Sequence, residues 1–311
     1  MARPSVVIPS EFINAITIDG INGRYAQIPA KSAKNTAQIL LLYGHHSSLE
    51  RMYSTGQYLS RFGTVTILDM PGFGGMDSFY KVGQKPNLDN YANYLTKAIP
   101  QIFGSKTQFS TVCMSLSFMM FTRALQLDPQ LAKQTKKFIG FVGFLGKSGF
   151  RYKPFKHSLF SSLTWLISLP VVTALAKLLL FNKYLLPIWL KLFYLLNPNY
   201  KAASKFKQEN VQAMEKDLWL KNDLRTHFST VYMMLNARLP VTPVNQSVIN
   251  IMVEHDQYFD HQKVAKSMED IFTSYKPLKA NIDAHAPSVV SLEEEVANLM
   301  PKSLKKELET L

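Results

Sequence analysis

The chain has 311 residues, 47% of them hydrophobic and 18% charged, with 35 Lys plus Arg against 22 Asp plus Glu for a formal net charge of +13. That length buries a large core in one big domain or two modest ones, and that composition excludes a disordered tail and a coiled coil. The single cysteine, Cys113, excludes an internal disulfide framework and a multi-cysteine zinc site.

The opening stretch, MARPSVVIPSEF, has no apolar segment of signal-peptide length behind Arg3, which predicts a mature cytoplasmic sequence. Residues 12–18 and 24–28 pair as a hairpin around Asp19-Gly20. The run QILLLY at 38–43 is continuously apolar, as a strand buried on both faces requires. TVTIL at 64–68 is the next strand and runs into the turn-rich DMPGFGG. Residues 88–103 carry apolar side chains at helical spacing. A strand at 109–114 is followed by a helix at 116–127 that stops before Asp128-Pro129. Further strands are predicted at 137–144 and 248–253, and a C-terminal helix from about Ser291. Strands alternating with helices define an α/β fold, a mostly parallel central sheet with helices on both faces.

Residues 147–240 break the alternation. They are Leu-rich and helical in pattern, with no clear strand, and predict a helical cap inserted between core segments 1–146 and 241–311. From Lys147 to Leu196 there are seven basic residues and no acidic one. Ser158 to Ala176 is a 19-residue stretch without a formal charge, but its serines, Thr164 and Pro170 disfavour a full membrane span.

The chemistry centres on FSTVCMSLSFMMF. Ser115 falls at the tip of a sharp turn between an apolar strand and a periodic helix, where the helix N-terminus favours negative charge. The positions two residues either side must be small, and they hold Cys113 and Ser117. This arrangement resembles the nucleophile elbow of the α/β-hydrolases, G-x-S-x-G, with both glycines replaced. Three further stretches carry the resemblance. QILLLYGHHSS ends a strand in Tyr43-Gly44 where the family has His-Gly. LDMPGFGG matches the family's Asp-x-Pro-Gly-x-Gly-x-Ser at Asp69, Pro71, Gly72 and Gly74, a turn of structural purpose. Asp256 follows a buried strand and His285 precedes the C-terminal helix, in the family's chain order of nucleophile, acid and histidine.

The resemblance implies a Ser115–His285–Asp256 triad, with the backbone N–H groups of His45 and Leu116 binding the oxyanion. Glu254 and Asp260 are the reserve acids. It implies a serine hydrolase acting on carboxylic esters of lipophilic small substrates through an acyl-enzyme, with no cofactor and no metal. A catalytically silent scaffold that binds a ligand or partner, and an acyltransferase using the same triad, are the alternatives. A serine at this position sets the chain apart from haloalkane dehalogenases and epoxide hydrolases of the same fold, which use aspartate there.

Two readings of the cap stand side by side. One is a lid over an acyl pocket that rests on an anionic membrane, which would make the cytoplasmic protein membrane-associated. The other is a plain helical cap packed on the core with solvated lysines. A nucleotide-binding loop is set aside because GFVGFLGKS needs its first glycine at Phe141, and Gly140 is one residue early. His45, His46, His255, Asp256, His261 and His285 lack paired metal-ligand spacing. Nucleic acid is not an expected partner, since the basic residues sit among Leu, Trp and Phe with no recognised binding motif.

Overall fold

The computed structural model describes residues 7–195, 205–280 and 293–311. Eight strands form one sheet in the order β1-β2-β4-β3-β5-β6-β7-β8. β1 (Ile13–Ile18) and β2 (Ile21–Ile28) form the expected hairpin, and β2 runs antiparallel to β4 (Thr64–Leu68). All pairings from β4 onward are parallel: β3 (Gln38–Leu42), β5 (Phe109–Met114), β6 (Thr135–Phe141), β7 (Val244–Met252) and β8 (Phe272–Lys279). Ile39 to Leu42 and Val65 to Leu68 are buried without a break, because helices cover both faces of these strands.

The covering helices are α1 (Leu49–Leu59), α2 (Leu88–Phe103), α3 (Leu116–Leu127) and α4 (Pro129–Gln134) before the insertion. After it come α10 (His261–Glu269), α11 (Glu293–Leu299) and α12 (Lys302–Leu308). Asn87 caps α2 by accepting from Asn90 N, and Ser48 caps α1 by accepting from Arg51 N, each satisfying an orphan donor of the first turn.

Between β6 and β7 lie α5 (Pro154–Ile167), α6 (Pro170–Leu179), α7 (Leu186–Leu195), α8 (Lys205–Lys221) and α9 (Leu224–Asn236). α9 packs against both α5 and α6.

Several strands differ from the sequence expectation: β2 begins at Ile21 instead of 24, β8 has no counterpart there, and β6 and β7 have other bounds. β6 stops at Phe141 instead of 144, because Val142 turns to φ 50° and Gly143 pairs with the Asn250 side chain in both directions, at 2.9 and 3.1 Å. β7 begins at Val244, four residues early, through polar positions that alternate outward.

The Asp69 loop locks the sheet edge beside the site. Asp69 is buried and accepts from Tyr43 Oη at 2.7 Å, Leu49 N at 3.0 Å and Arg24 Nε at 2.8 Å. Burial pushes its carboxyl up to about 7, although Arg24 and Tyr43 pull it down. Gly74 crosses directly over it at φ +64°, and an added Cβ would sit 2.3 Å from the carboxylate. Gly75, at φ +82°, faces open space.

These surroundings predict different costs for the same change. Gly74→Ala should lose about 2–4 kcal/mol of stability in urea unfolding, since it combines backbone strain with a clash against a buried carboxylate. Gly75→Ala should lose only about 1 kcal/mol, the backbone cost alone.

Candidate active site

Ser115 stands between β5 and α3 with φ 50° and ψ −113°, outside the regions that L-residues ordinarily occupy. Such a conformation costs about 1–3 kcal/mol and persists only where the surroundings impose it. They do so here. The Ser115 N–H donates to Phe141 O on β6 at 2.9 Å, and its carbonyl accepts from Phe118 N in α3 at 3.1 Å.

The replaced glycines fit this turn. Cys113 is fully buried, and burial pushes its thiol up to about 12, so it is an inert small side chain here. Ser117 is fully buried as well. Its Oγ accepts from Met114 N at 3.0 Å and donates toward Leu42 O at 2.9 Å, which ties the elbow to the end of β3. A hydroxyl thus occupies the expected small-residue position while satisfying the backbone it crowds.

Gly44 brings the other half of the site close. A Cβ there would lie 3.3 Å from Ser115 Cβ and 3.2 Å from Met114 O, so glycine lets the loop after β3 rest on the elbow without pushing it back by a few tenths of an ångström. Tyr43, in place of the family histidine, anchors that loop from below. Its hydroxyl donates to Asp69 and accepts from Met70 N at 2.9 Å. The His45 backbone follows directly, and Leu116 opens α3, where a first-turn N–H has no acceptor in its own helix.

Ser115, Gly44 and His45 line a cavity of about 450 Å³. Its remaining walls are mainly apolar, including Phe141 at the end of β6 and Val142 after it, Met234 and Leu235 from α9, and Tyr258 and Phe259. This volume suits a small organic ligand.

Asp256 lies in the loop after β7 and is 2% exposed. Its Oδ1 accepts from Tyr258 N at 2.8 Å and Phe259 N at 3.1 Å, and Arg151 donates to its carbonyl at 2.9 Å. Val142 and Phe259 line both the small space around Asp256 and the Ser115 cavity. The reserve acids are committed elsewhere: Glu254 pairs with Lys279 on the surface, and Asp260 caps α10. His285 lies outside the described residues.

Sequence reasoning missed a polar cluster behind the cavity, because its members lie far apart in the chain. His45 Nε2 meets His227 O at 3.1 Å and Thr230 Oγ1 at 3.0 Å. His46 Nδ1 lies 3.2 Å from His227 Nδ1, and His46 Nε2 lies 3.4 Å from Glu215. Arg51 pairs with Glu215 at 3.2 Å. Burial, with His46 adding to it, lowers His45 to about 3, and burial also lowers His227 well below the ordinary value. Burial opposes ionisation of Glu215, but His46 and Arg51 outweigh it and hold the carboxyl low. Among the described residues, no group of three His, Cys, Asp or Glu side chains is placed to hold a metal ion.

The chain has the α/β-hydrolase fold. It superposes on an enol-lactonase from Burkholderia xenovorans LB400 with a TM-score of 0.62 at 13% identity, covering 96% of this chain and 100% of that one. An epoxide hydrolase from Bacillus megaterium gives 0.60 at 15% identity over 96% and 100% of the two chains. A hydrolase from Oleispira antarctica gives 0.64 at 11% identity over 92% and 94%. No protein-family model matches the sequence, and no curated protein sequence matches it.

The buried imidazoles give the fold a pH dependence with a defined sign. His45 is neutral when folded and titrates near 6.5 when unfolded, so below that pH the unfolded chain binds more protons. Stability from this group is complete above pH 6.5 and is lost progressively as pH falls toward 3. His45→Gln, which keeps a donor toward His227 O, should flatten the decline between pH 6 and pH 4 by about 1.4 kcal/mol per pH unit in urea unfolding.

Proposed function

We propose that the protein is a serine hydrolase that cleaves carboxylic esters of lipophilic small substrates. One observation carries this reading: Ser115 is held in a strained φ 50° turn in the wall of a mostly apolar cavity of about 450 Å³. A serine that serves packing alone gains nothing from that backbone cost. A nucleophile gains exposure at the carboxyl edge of the sheet, with the N-terminus of α3 beneath it.

In this mechanism Ser115 Oγ attacks the ester carbonyl carbon while His285 takes the hydroxyl proton. The oxyanion is stabilised by the N–H groups of His45 and Leu116. The intermediate collapses to an acyl-enzyme, and His285 passes its proton to the departing alkoxide. Water, deprotonated by His285, then releases the acid and restores Ser115. Asp256 orients the imidazole and stabilises its cation. Burial and the two backbone donors on Asp256 suit a fixed carboxylate. His45 is the one histidine among the described residues lining the Ser115 cavity, and at about 3 its pKa is too low for a general base at neutral pH. That supports His285, further along the chain, in the role.

The test is turnover of p-nitrophenyl esters of increasing acyl length. Ser115→Ala and His285→Ala should each lower kcat by about a thousandfold or more, with thermal melting nearly unchanged. Normal turnover in either variant refutes the triad. A folded wild type without turnover on any ester supports the silent-scaffold alternative, and turnover that requires an added alcohol acceptor supports the acyltransferase.

A further inference from the structure

The helices α5 and α6 are inside out. α5 is mostly Leu, Phe, Ser and Trp, yet the two side chains it buries are His157 and Ser161. His157 Nε2 bonds Leu235 O at 2.7 Å, and Ser161 Oγ accepts from Asn236 Nδ2 at 2.7 Å. α6 buries Thr173 alone. These three polar residues face the protein, while Ser158, Ser162 and most of the apolar side chains of the two helices face away from it. Phe155 is 81% exposed, Val171 72% and Leu178 67%, and Leu163 is about half exposed; in α7, Ile188 is 62% exposed and Trp189 about half. A helix in water arranges these two classes the other way round. This arrangement minimises free energy when the outer medium is apolar.

The charge defines that medium further. Lys153, Lys156, Lys177, Lys183 and Lys191 are exposed among these side chains, and no acidic residue occurs from 147 to 196. Next to α5 a groove of about 940 Å³ adds Lys147, Arg238, Lys263 and Lys266 at its walls against one carboxylate, Asp270. Two copies of this chain meeting through the face would oppose like charges. Among the described residues no single helix is long and apolar enough to cross a membrane; α5 and α6 reach that length and composition only together, and they meet at a bend of 86°.

We propose that the outer face of α5, α6 and α7 docks on the surface of an anionic lipid bilayer. The apolar side chains enter the headgroup–acyl boundary, and the lysines stay at the level of the headgroups. This placement does not depend on the catalytic reading, because none of these exposed residues touches Ser115.

The experiment is co-sedimentation of the full chain with two kinds of vesicle: pure phosphatidylcholine, and about three parts phosphatidylcholine to one of phosphatidylserine. The anionic vesicles should bind at least tenfold more tightly than the neutral ones, weaken with added salt, and shift tryptophan emission to the blue through Trp165 and Trp189, which are 50% and 48% exposed. A Phe155→Ser, Val171→Ser, Ile188→Ser triple variant should lose about tenfold or more in binding. Lys156→Glu with Lys183→Glu should lose the preference for anionic vesicles. Wild-type melting in both variants shows that the fold is intact, since the altered side chains are solvent-exposed. Binding unchanged in the triple variant overturns the proposal. So does a failure of wild type to bind either vesicle, including the case in which it forms a dimer that the triple variant dissociates.

Discussion

The buried carboxylate of Asp69 is the constraint on which the edge of the sheet beside Ser115 is built. It accepts from β2 through Arg24, from the end of β3 through Tyr43, and from the start of α1 through Leu49 N. A buried carboxylate without partners is heavily penalised, so these donors are held in place by the cost of losing them. Tyr43 leads directly into Gly44, which rests on Ser115. The position of the loop over the elbow therefore follows from a hydrogen bond one residue away from it. Tyr43 gives that loop a buried anchor where the family has histidine.

The loop that Asp69 opens after β4 connects the sheet to the helices between β6 and β7. Gly74 N donates to Asn222 Oδ1 and Asp223 N donates to Gly72 O, both at 2.8 Å. A Cβ on Gly72 would lie 2.5 Å from Thr226, so the glycine lets the turn meet α9 closely. His45 and His46 reach α9 from the other side through His227. α9 is thereby fixed above the sheet and supplies Val231, Met234 and Leu235 to the cavity wall. α5 and α6 ride on its outer side and leave their apolar side chains uncovered. The helices between β6 and β7 thus divide in two: α9 walls the Ser115 cavity, and α5 and α6 expose apolar side chains.

Much of the core was legible in the sequence because parallel strands buried on both faces read as unbroken apolar runs. β4 and β5 and the helices α2 and α3 have the bounds the pattern predicts. β8 was not legible. FTSYKPLK lies at the edge of the sheet, buries only Phe272, and contains a proline, so its pattern is that of a polar loop. The elbow at Ser115 was legible from a strand, small flanking residues and a periodic helix. What the sequence did not carry was direction. An apolar run with a few polar residues predicts a helix, but it does not say that His157, Ser161 and Thr173 face inward. The pairing of His227 with His45 and His46 was equally hidden, since no local spacing links residues so distant in the chain.

The central claim is that Ser115 is a nucleophile with an activated hydroxyl. The most direct measurement is mass spectrometry of the folded protein after reaction with a fluorophosphonate, which modifies activated serines and leaves ordinary ones alone. The account predicts a single adduct per chain on the peptide carrying Ser115, absent when the protein is first unfolded. An intact, folded chain with no adduct, or with its adduct on another residue, would contradict it.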